Sequence, residues 1–418
     1  MNDIYLKRFA DKTLENRLNS FGAVLIKGAK GCGKTETAIR IAKSAVRLDV
    51  DDDVRIRMEL DPKSVLAGSV PRLIDEWQEY PHIWNYVRRE VDDRKKKGQF
   101  ILTGSANPEE QARLHSGAGR FSVLRMRPMS LFERSWSTGE VSLLNLVKGK
   151  TPKSLQAEFS LETLAEKLCL GGWPSLLDAG GREALRFMKD YISLVVEIDI
   201  SRFGDKKRDP QKVMRLMQSL ARNISTEASV TSLAKDTGGS NTGINDETIT
   251  EYLDALDRLM VLEQLPAWAP HIRSADTLRK APKHHFVDPS LAIGALGLSM
   301  EKLLKDLNYL GFLFESLVIR DLRIYAEVHD GMVFHYRDSR NMEVDAVVEY
   351  PDGTWAAFEV KMGFNAQDEA ATNLLKFAAK INQEKMGPPA ALTVITANGF
   401  ACRRKDGVNV VPLSVLTA

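Results

Sequence analysis

The stretch Val24-Leu-Ile-Lys-Gly28-Ala-Lys-Gly-Cys-Gly33-Lys34-Thr35-Glu-Thr-Ala-Ile-Arg-Ile-Ala42 decides how this chain begins to fold. Its first residues, with Ala23, read as an apolar strand, and the residues after Thr35 read as a helix. Between them the glycines let the backbone curl until several N–H groups converge on one point. The N-terminal end of the helix adds a field that favours an anion there. The run Gly28, Ala29, Lys30, Gly31, Cys32, Gly33, Lys34, Thr35 is therefore expected to wrap the phosphates of ATP. Lys34 is placed to reach the β- and γ-phosphates and the Thr35 hydroxyl to ligate Mg²⁺, with Lys30 and Cys32 at variable positions of the loop. A chance glycine-rich turn is the alternative, and the strand and helix on either side argue against it.

Outward from the loop, Arg72-Leu-Ile-Asp75-Glu76-Trp-Gln78 ends a short apolar strand on two carboxylates about 40 residues later. Asp75 is expected to hold Mg²⁺ through water and Glu76 to polarise the attacking water as general base. The alternative is an ordinary acidic pair at a strand end. One strand further, Gln99-Phe-Ile-Leu-Thr103-Gly-Ser105-Ala-Asn107 offers small polar groups at a strand terminus. Ser105 is the residue expected to sense the γ-phosphate, although such residues are also common turn formers. The strands read in this part are Ala23–Lys27, Val54–Leu60, Arg72–Asp75, Gln99–Thr103 and Ser122–Arg127, alternating with helices as a parallel α/β sheet requires.

These motifs, followed by Gly117-Ala-Gly-Arg120-Phe-Ser-Val-Leu-Arg-Met-Arg-Pro-Met-Ser-Leu-Phe-Glu133 and Gly171-Gly-Trp-Pro-Ser-Leu-Leu177, resemble the AAA+-like P-loop ATPases of bacteria and archaea that carry a C-terminal domain of unknown function. The resemblance runs through the chain, and its first three motifs are specific for P-loop ATPases. It implies an additional-strand sheet and a polar sensor after the strand ending near Thr103. It also makes Arg120 a group that could neutralise transition-state charge, in cis or from a neighbouring subunit. A surface arginine in a salt bridge is the competing reading.

With 418 residues the chain is too long for one ordinary core. The division expected is 1–128 for the ATPase core, 129–299 for a helical and winged-helix region, and 300–418 for an α/β nuclease-like domain. Hydrophobic residues make up 44% and charged residues 27%, as in ordinary globular proteins. With 58 basic and 56 acidic residues the net charge is +2, so a nucleic-acid surface would have to be a local patch. Cys32, Cys169 and Cys402 are too scattered for a metal site or a disulfide framework. The first residues lack an apolar signal core and no run spans a bilayer, so no membrane association and a cytoplasmic location are expected.

In the middle, Lys212–Asn223, Ser229–Thr237 and Asn245–Leu259 read as three short helices, with Val261–Pro266 and His284–Val287 as strands after them. That order resembles a winged helix-turn-helix. Its third helix carries Asp246, Glu247, Glu251, Asp254 and Asp257 against Arg258 alone, a poor match for DNA phosphate. Arg273, Arg279, Lys280 and Lys283 lie nearby, yet a scaffold that packs on its neighbours is the favoured reading. His271, His284 and His285 read as loop or strand residues, not metal ligands.

The C-terminal part reads as a helix at Leu310–Tyr325, strands at Met332–Arg337, Glu343–Tyr350 and Thr354–Lys361, a helix at Gln367–Glu384 and a strand at Ala391–Thr396. Asp345 and Glu359 on adjacent strands, with the Val360 carbonyl, can ligate Mg²⁺ or Mn²⁺, and Glu315 could add a carboxylate. Lys361 beside them can act on an attacking water and the phosphate. This pattern resembles the PD-(D/E)XK nuclease fold, through Val-Asp345 and Glu359-Val-Lys361. The function expected is ATP hydrolysis coupled to DNA binding or metal-dependent DNA cleavage. The alternative is a nucleotide-switched interaction protein, acting as a homo-oligomer or on a protein partner, with an inactive nuclease-like domain.

Overall fold

Short apolar runs buried on both faces can be satisfied only by a sheet covered on each side by helices, as parallel sheets are. The computed structural model, which describes residues 5–104, 116–200, 208–238, 244–270 and 281–418, has this arrangement at its start. Strands β1 (Ala23–Lys27), β2 (Ser44–Arg47), β3 (Arg72–Asp75), β4 (Phe100–Gly104) and β5 (Phe121–Arg125) form one sheet in the order β2-β3-β4-β1-β5. Every pairing in it is parallel. Because β4 lies between β1 and β3, the sheet is of the additional-strand type. Helices α1 (Phe9–Leu18) and α2 (Lys34–Ile41) flank β1 in sequence. Trp77, Trp84, Val87, Phe100 and Leu102 fill the core between the sheet and the helix Ile83–Arg94.

One expected strand is corrected. Val54–Leu60 lies within a helix, Asp52–Leu60, and the edge strand is Ser44–Arg47 instead. The alternation Val54, Ile56, Met58, Leu60 mimics a strand, but only Val54 is buried, at 1% exposure, while Ile56 is 59% and Leu60 82% exposed. Arg, Met, Glu and Leu are good helix formers, and the acids at its start suit a helix N-terminus.

The chain divides into two compact units: residues up to Pro128 with Arg258–Val261, and Met129–Asp257 with Leu262–Ala418. The second unit carries helices Pro210–Arg222, Val230–Gly238 and Asp246–Arg258, close to their expected bounds. An antiparallel ribbon of Leu262–Leu265 and Lys283–Phe286 follows. Its C-terminal part is a long helix, Leu307–Glu327, packed on a mixed sheet. In that sheet Met332–Arg337, Glu343–Glu349 and Trp355–Lys361 run antiparallel, and Ala391–Thr396 lies parallel to the last of them across the helix Gln367–Lys380. The expected helix to Glu384 stops at Lys380, and Asn382 caps a new turn at Gln383–Met386. Strands Asn409–Pro412 and Cys402–Arg403 extend the sheet beyond the expected ones.

Two features close this second unit. The end of the chain returns to its beginning: Leu416–Thr417 pairs with Val141–Ser142, and Asn398–Gly399 with Ala157–Glu158. Within the interior, the Arg320 guanidinium lies 2.6 Å from Asp288 and 2.7 Å from Asp321, all three groups buried. Asp288 accepts the Gly172 N–H at 2.9 Å, and Asp321 accepts that of Leu131 at 2.9 Å. A buried arginine with both partners hydrogen-bonded is tolerable, whereas losing one partner would strand a charge. The motifs around Ser130 and Gly172 are thus read in the structure as the anchorage of this ionic group.

Candidate functional site

The loop after β1 is shaped by backbone demands that only glycine meets cheaply. Gly33, just before α2, has φ of 100°, a left-handed conformation. A Cβ on Gly28 would lie 2.2 Å from the Met126 carbonyl oxygen. Lys34 opens α2, and its buried ammonium donates to the Gly28 and Ala29 carbonyls, each at 2.9 Å. Thr35 follows with its hydroxyl 3.0 Å from Asp75 Oδ1, so the two residues expected to share a magnesium ion face each other. A hydroxyl and a carboxylate side by side are hard oxygen donors, the set that suits Mg²⁺. Thr103 also donates to Asp75 Oδ1 from the end of β4. Helix α2 and strand β4 thus both present a hydroxyl to the carboxylate that ends β3.

Glu76 comes immediately after β3 with φ 50° and ψ 46°, an uncommon conformation for a residue bearing a Cβ. Such outliers persist where the surroundings impose them, often at functional sites. Its carboxylate accepts a hydrogen bond from the Gln78 amide. Glu76 follows the C-terminal end of β3, the same end of the sheet at which the loop carrying Lys34 and Thr35 leaves β1.

Arg120 stands elsewhere. Its carbonyl accepts the N–H of Ala23 at 3.1 Å, which fixes it at the N-terminal end of β1, whereas the phosphate loop follows the C-terminal end. A strand of this length separates the two edges by about 15 Å. The in-cis role is therefore corrected: the side chain cannot reach a nucleotide on its own loop. It is paired with Asp92 at 2.9 Å, which holds the Asp92 carboxyl below its usual range. Ser105, the expected sensor, lies outside the described residues, as do Asn107, His271, Arg273, Arg279 and Lys280.

Sequence reasoning missed two side chains that brace the loop. The buried Arg8 guanidinium donates to the Cys32 carbonyl at 3.0 Å and to the Arg127 carbonyl at 2.7 Å. Tyr5 shares a hydrogen bond with Thr37 at 2.9 Å. Neither belongs to a local motif, so only the folded chain brings them to the site.

In the second unit the C-terminal acids and lysine do assemble. Asp345 Oδ2 accepts the Val360 N–H at 2.8 Å, and Glu359 accepts the Asn373 amide at 2.7 Å. Lys361 lies 3.0 Å from Glu359 and 3.8 Å from Asp345. Glu315 approaches from the long helix, but the group it meets is Lys283, at 3.0 Å, which also meets Glu343 at 2.7 Å. Burial, then the Asp345 charge, pushes Glu315 and Glu359 well above the usual carboxylate range. Burial also works against ionised Glu343, but the Lys283 ammonium outweighs it and brings this acid below its ordinary value.

The donor set, carboxylates and a backbone carbonyl, has the chemistry of a Mg²⁺ or Mn²⁺ site. Among the described residues no three acid, histidine or cysteine side chains are grouped to hold an ion, so an ion here would rest on the two carboxylates Asp345 and Glu359 with a backbone carbonyl. Lysine ammonium groups stand between the acids. Of the expected metal ligands, Asp345 and Glu359 are brought together beside Lys361, and Glu315 is paired with Lys283. Lys283 comes to these acids from the strand Lys283–Phe286, which follows the third helix of the middle segment. The third helix has Asp246, Glu247 and Asp254 among its exposed residues, so its exposed face is acidic.

Comparison with known proteins agrees with the first unit and leaves the second open. Residues 20–135 match the model of an AAA domain. Residues 161–302 and 310–416 match the models of two domains of unknown function, DUF8612 and DUF4143. The uncharacterized protein Rv2008c of Mycobacterium tuberculosis is 27% identical over 361 residues, covering 85% of this chain and 74% of that one. An HPr kinase/phosphorylase of Geobacillus is 50% identical over 52 residues, only 12% of this chain and 16% of that protein. Among solved structures, the Walker-type ATPase paby2304 of Pyrococcus abyssi aligns with a TM-score of 0.41 at 12% identity, over 70% of this chain and 97% of that one. RuvB of Thermotoga maritima aligns with a TM-score of 0.27 at 16% identity, over 62% and 89%. The first unit is an AAA-like, P-loop ATPase-type domain, and no helix among the described residues is long and apolar enough to cross a membrane.

Proposed function

We propose that this chain binds and hydrolyses ATP in its first unit and uses the cycle to control its second unit, whose C-terminal part is built like a PD-(D/E)XK nuclease. The observation that carries the ATPase reading is the convergence of Lys34, Thr35 and Asp75, with the Thr35 hydroxyl 3.0 Å from the Asp75 carboxylate. Thr35 and Asp75 would hold the Mg²⁺ of Mg-ATP, which neutralises phosphate charge when bound. Lys34 binds the β- and γ-phosphates, the loop N–H groups orient them, and Glu76 orients the attacking water. Arg120, remote from its own loop, serves a nucleotide held by a neighbouring copy.

For the C-terminal part, helix, three strands, helix, strand with Asp345 and Glu359-Val-Lys361 at one end supports the nuclease-like reading. Each of the acids Glu315, Glu343, Asp345 and Glu359 has a lysine ammonium beside it, so DNA cleavage there needs those contacts to give way to an ion. That same observation favours a second reading, a nucleotide-switched interaction protein whose nuclease-like domain only binds. The helices Pro210–Arg222, Val230–Gly238 and Asp246–Arg258 with their ribbon are winged-helix-like, and act as a scaffold: the exposed face of the third helix is acidic, and the ribbon is packed against the long helix.

Pure protein decides between these. Lys34→Ala is expected to lose ATP binding, whereas Glu76→Gln keeps binding and turns over on the order of 100-fold or more slowly. Equal turnover by wild type and Glu76→Gln would remove Glu76 from the mechanism. Incubation with Mg²⁺ or Mn²⁺ and linear, nicked or single-stranded DNA separates the two roles of the second unit. Cleavage abolished by Lys361→Ala would establish the nuclease, and intact DNA in every form would leave the switch.

A further inference from the structure

Lys283 is among the largest fully buried side chains, with its ammonium held by Glu315 at 3.0 Å and Glu343 at 2.7 Å. An ammonium so placed must be paired, since a lone buried charge is very costly. It is also fixed in position. Lys283 and His285 share one face of their strand, and His285 Nδ1 lies 3.2 Å from the Ser316 hydroxyl, one residue along the long helix from Glu315. The facing strand is tied to the same helix, with Arg323 donating to the Gln264 carbonyl at 2.9 Å. Past the ribbon, the Trp268 ring lies 5.0 Å from that of Trp355 of the C-terminal sheet, tilted by 36°. The lysine therefore enters the acidic group on a braced strand, not on a loop.

Its origin is informative. Lys283 belongs to the segment 161–302, and the acids it meets belong to the segment 310–416. Neither segment alone contains the site. A divalent ion beside these acids would lie within a few ångströms of a fixed positive charge, a repulsion that low-dielectric surroundings strengthen.

We propose that the Lys283 ammonium is the resident cation of this site and keeps Mg²⁺ and Mn²⁺ away from Glu315, Glu343 and Asp345. The middle of the chain thereby sets what the C-terminal domain can bind. The proposal rests on the nuclease-like reading only for the expectation that these acids would otherwise take a divalent ion.

The test uses the full chain without nucleotide and Mn²⁺ alone as the probe. Wild type is expected to show no Mn²⁺ binding, and no Mn²⁺-dependent rise in melting temperature, that Asp345→Ala removes. Lys283→Met should melt lower in chelator, because Glu315 and Glu343 lose their partner, and should regain about 5 °C with Mn²⁺. Lys283→Gln, which can still donate to the acids, should gain binding with less loss of stability. Lys283→Arg should exclude the ion as wild type does. Mn²⁺ binding by wild type that depends on Asp345 overturns the proposal without any Lys283 variant. So does the absence of a shift in both neutral variants. If the neutral variants bind Mn²⁺ and still leave every DNA form intact, Lys283 keeps its role and the nuclease reading falls. Cleavage by wild type that needs Mn²⁺ and Asp345 gives the opposite result.

Discussion

What an ionisable side chain does in this protein depends on what the fold places beside it. Asp75 faces two hydroxyls, those of Thr35 and Thr103, a neighbourhood open to a metal ion. Asp345 faces Lys361 and a backbone N–H, so its charge is already compensated. His284 faces neither kind of partner: burial alone depresses its pKa to about 4. The unfolded chain protonates this histidine below about pH 6.5, and the folded chain resists until about pH 4. Above that window both forms are neutral and the residue contributes nothing to pH dependence. Within it stability falls as pH falls, by about 2 kcal/mol at pH 5 for this one group. Denaturant unfolding of wild type and His284→Gln near pH 7.5 and again near pH 5 should show the gap between them shifting by that amount in favour of the variant. An unchanged gap would mean that His284 is protonated as readily in the folded chain.

At the scale of elements, the helix Asp52–Leu60 and strand Ser44–Arg47 show where periodicity misleads. Four apolar residues at alternate positions suggested a strand, yet the helix buries Val54 and leaves Ile56 and Leu60 exposed. Val54→Ala should therefore cost about 2 kcal/mol, while Ile56→Lys stays within about 0.5 kcal/mol of wild type. Thermal unfolding of the two variants checks the pair. A large loss from Ile56→Lys would place that residue in a core and restore the strand. The other strands of the first sheet were legible because they are runs of consecutive apolar residues bounded by glycine, proline or charge. Ser44–Arg47 was not, since an edge strand of four residues with one buried side chain carries almost no pattern. The return of Leu416–Thr417 to Val141–Ser142 was hidden for a similar reason: two-residue pairings across the whole second unit leave no local trace.

For the whole molecule, the position of Arg120 bears on assembly. The end of the sheet that carries it is remote from the phosphate loop, and its ion pair with Asp92 is exposed enough to exchange for another partner. If Arg120 completes a neighbour's site, mixing Arg120→Ala with Lys34→Ala protein should restore ATP hydrolysis. One subunit then supplies an intact loop and the other an intact arginine, at roughly a quarter of the interfaces in an equal mixture. No recovery in an ATPase assay, with mixed oligomers shown to form, would sink that role. The sequence by itself determined the glycine-rich loop, the strand that ends on Asp75 with Glu76 after it, and the long helix and first strands of the C-terminal part. Those signals lie in contiguous residues, because a turn around phosphate and an apolar strand are built from neighbours in the chain. Only the tertiary structure decided that Arg8 braces the loop, that Arg120 cannot serve its own nucleotide, and that Lys283 fills the acidic site. Each of these is a charge meeting a partner far away in sequence, and electrostatic pairing depends on distance in space, which spacing along the chain does not encode.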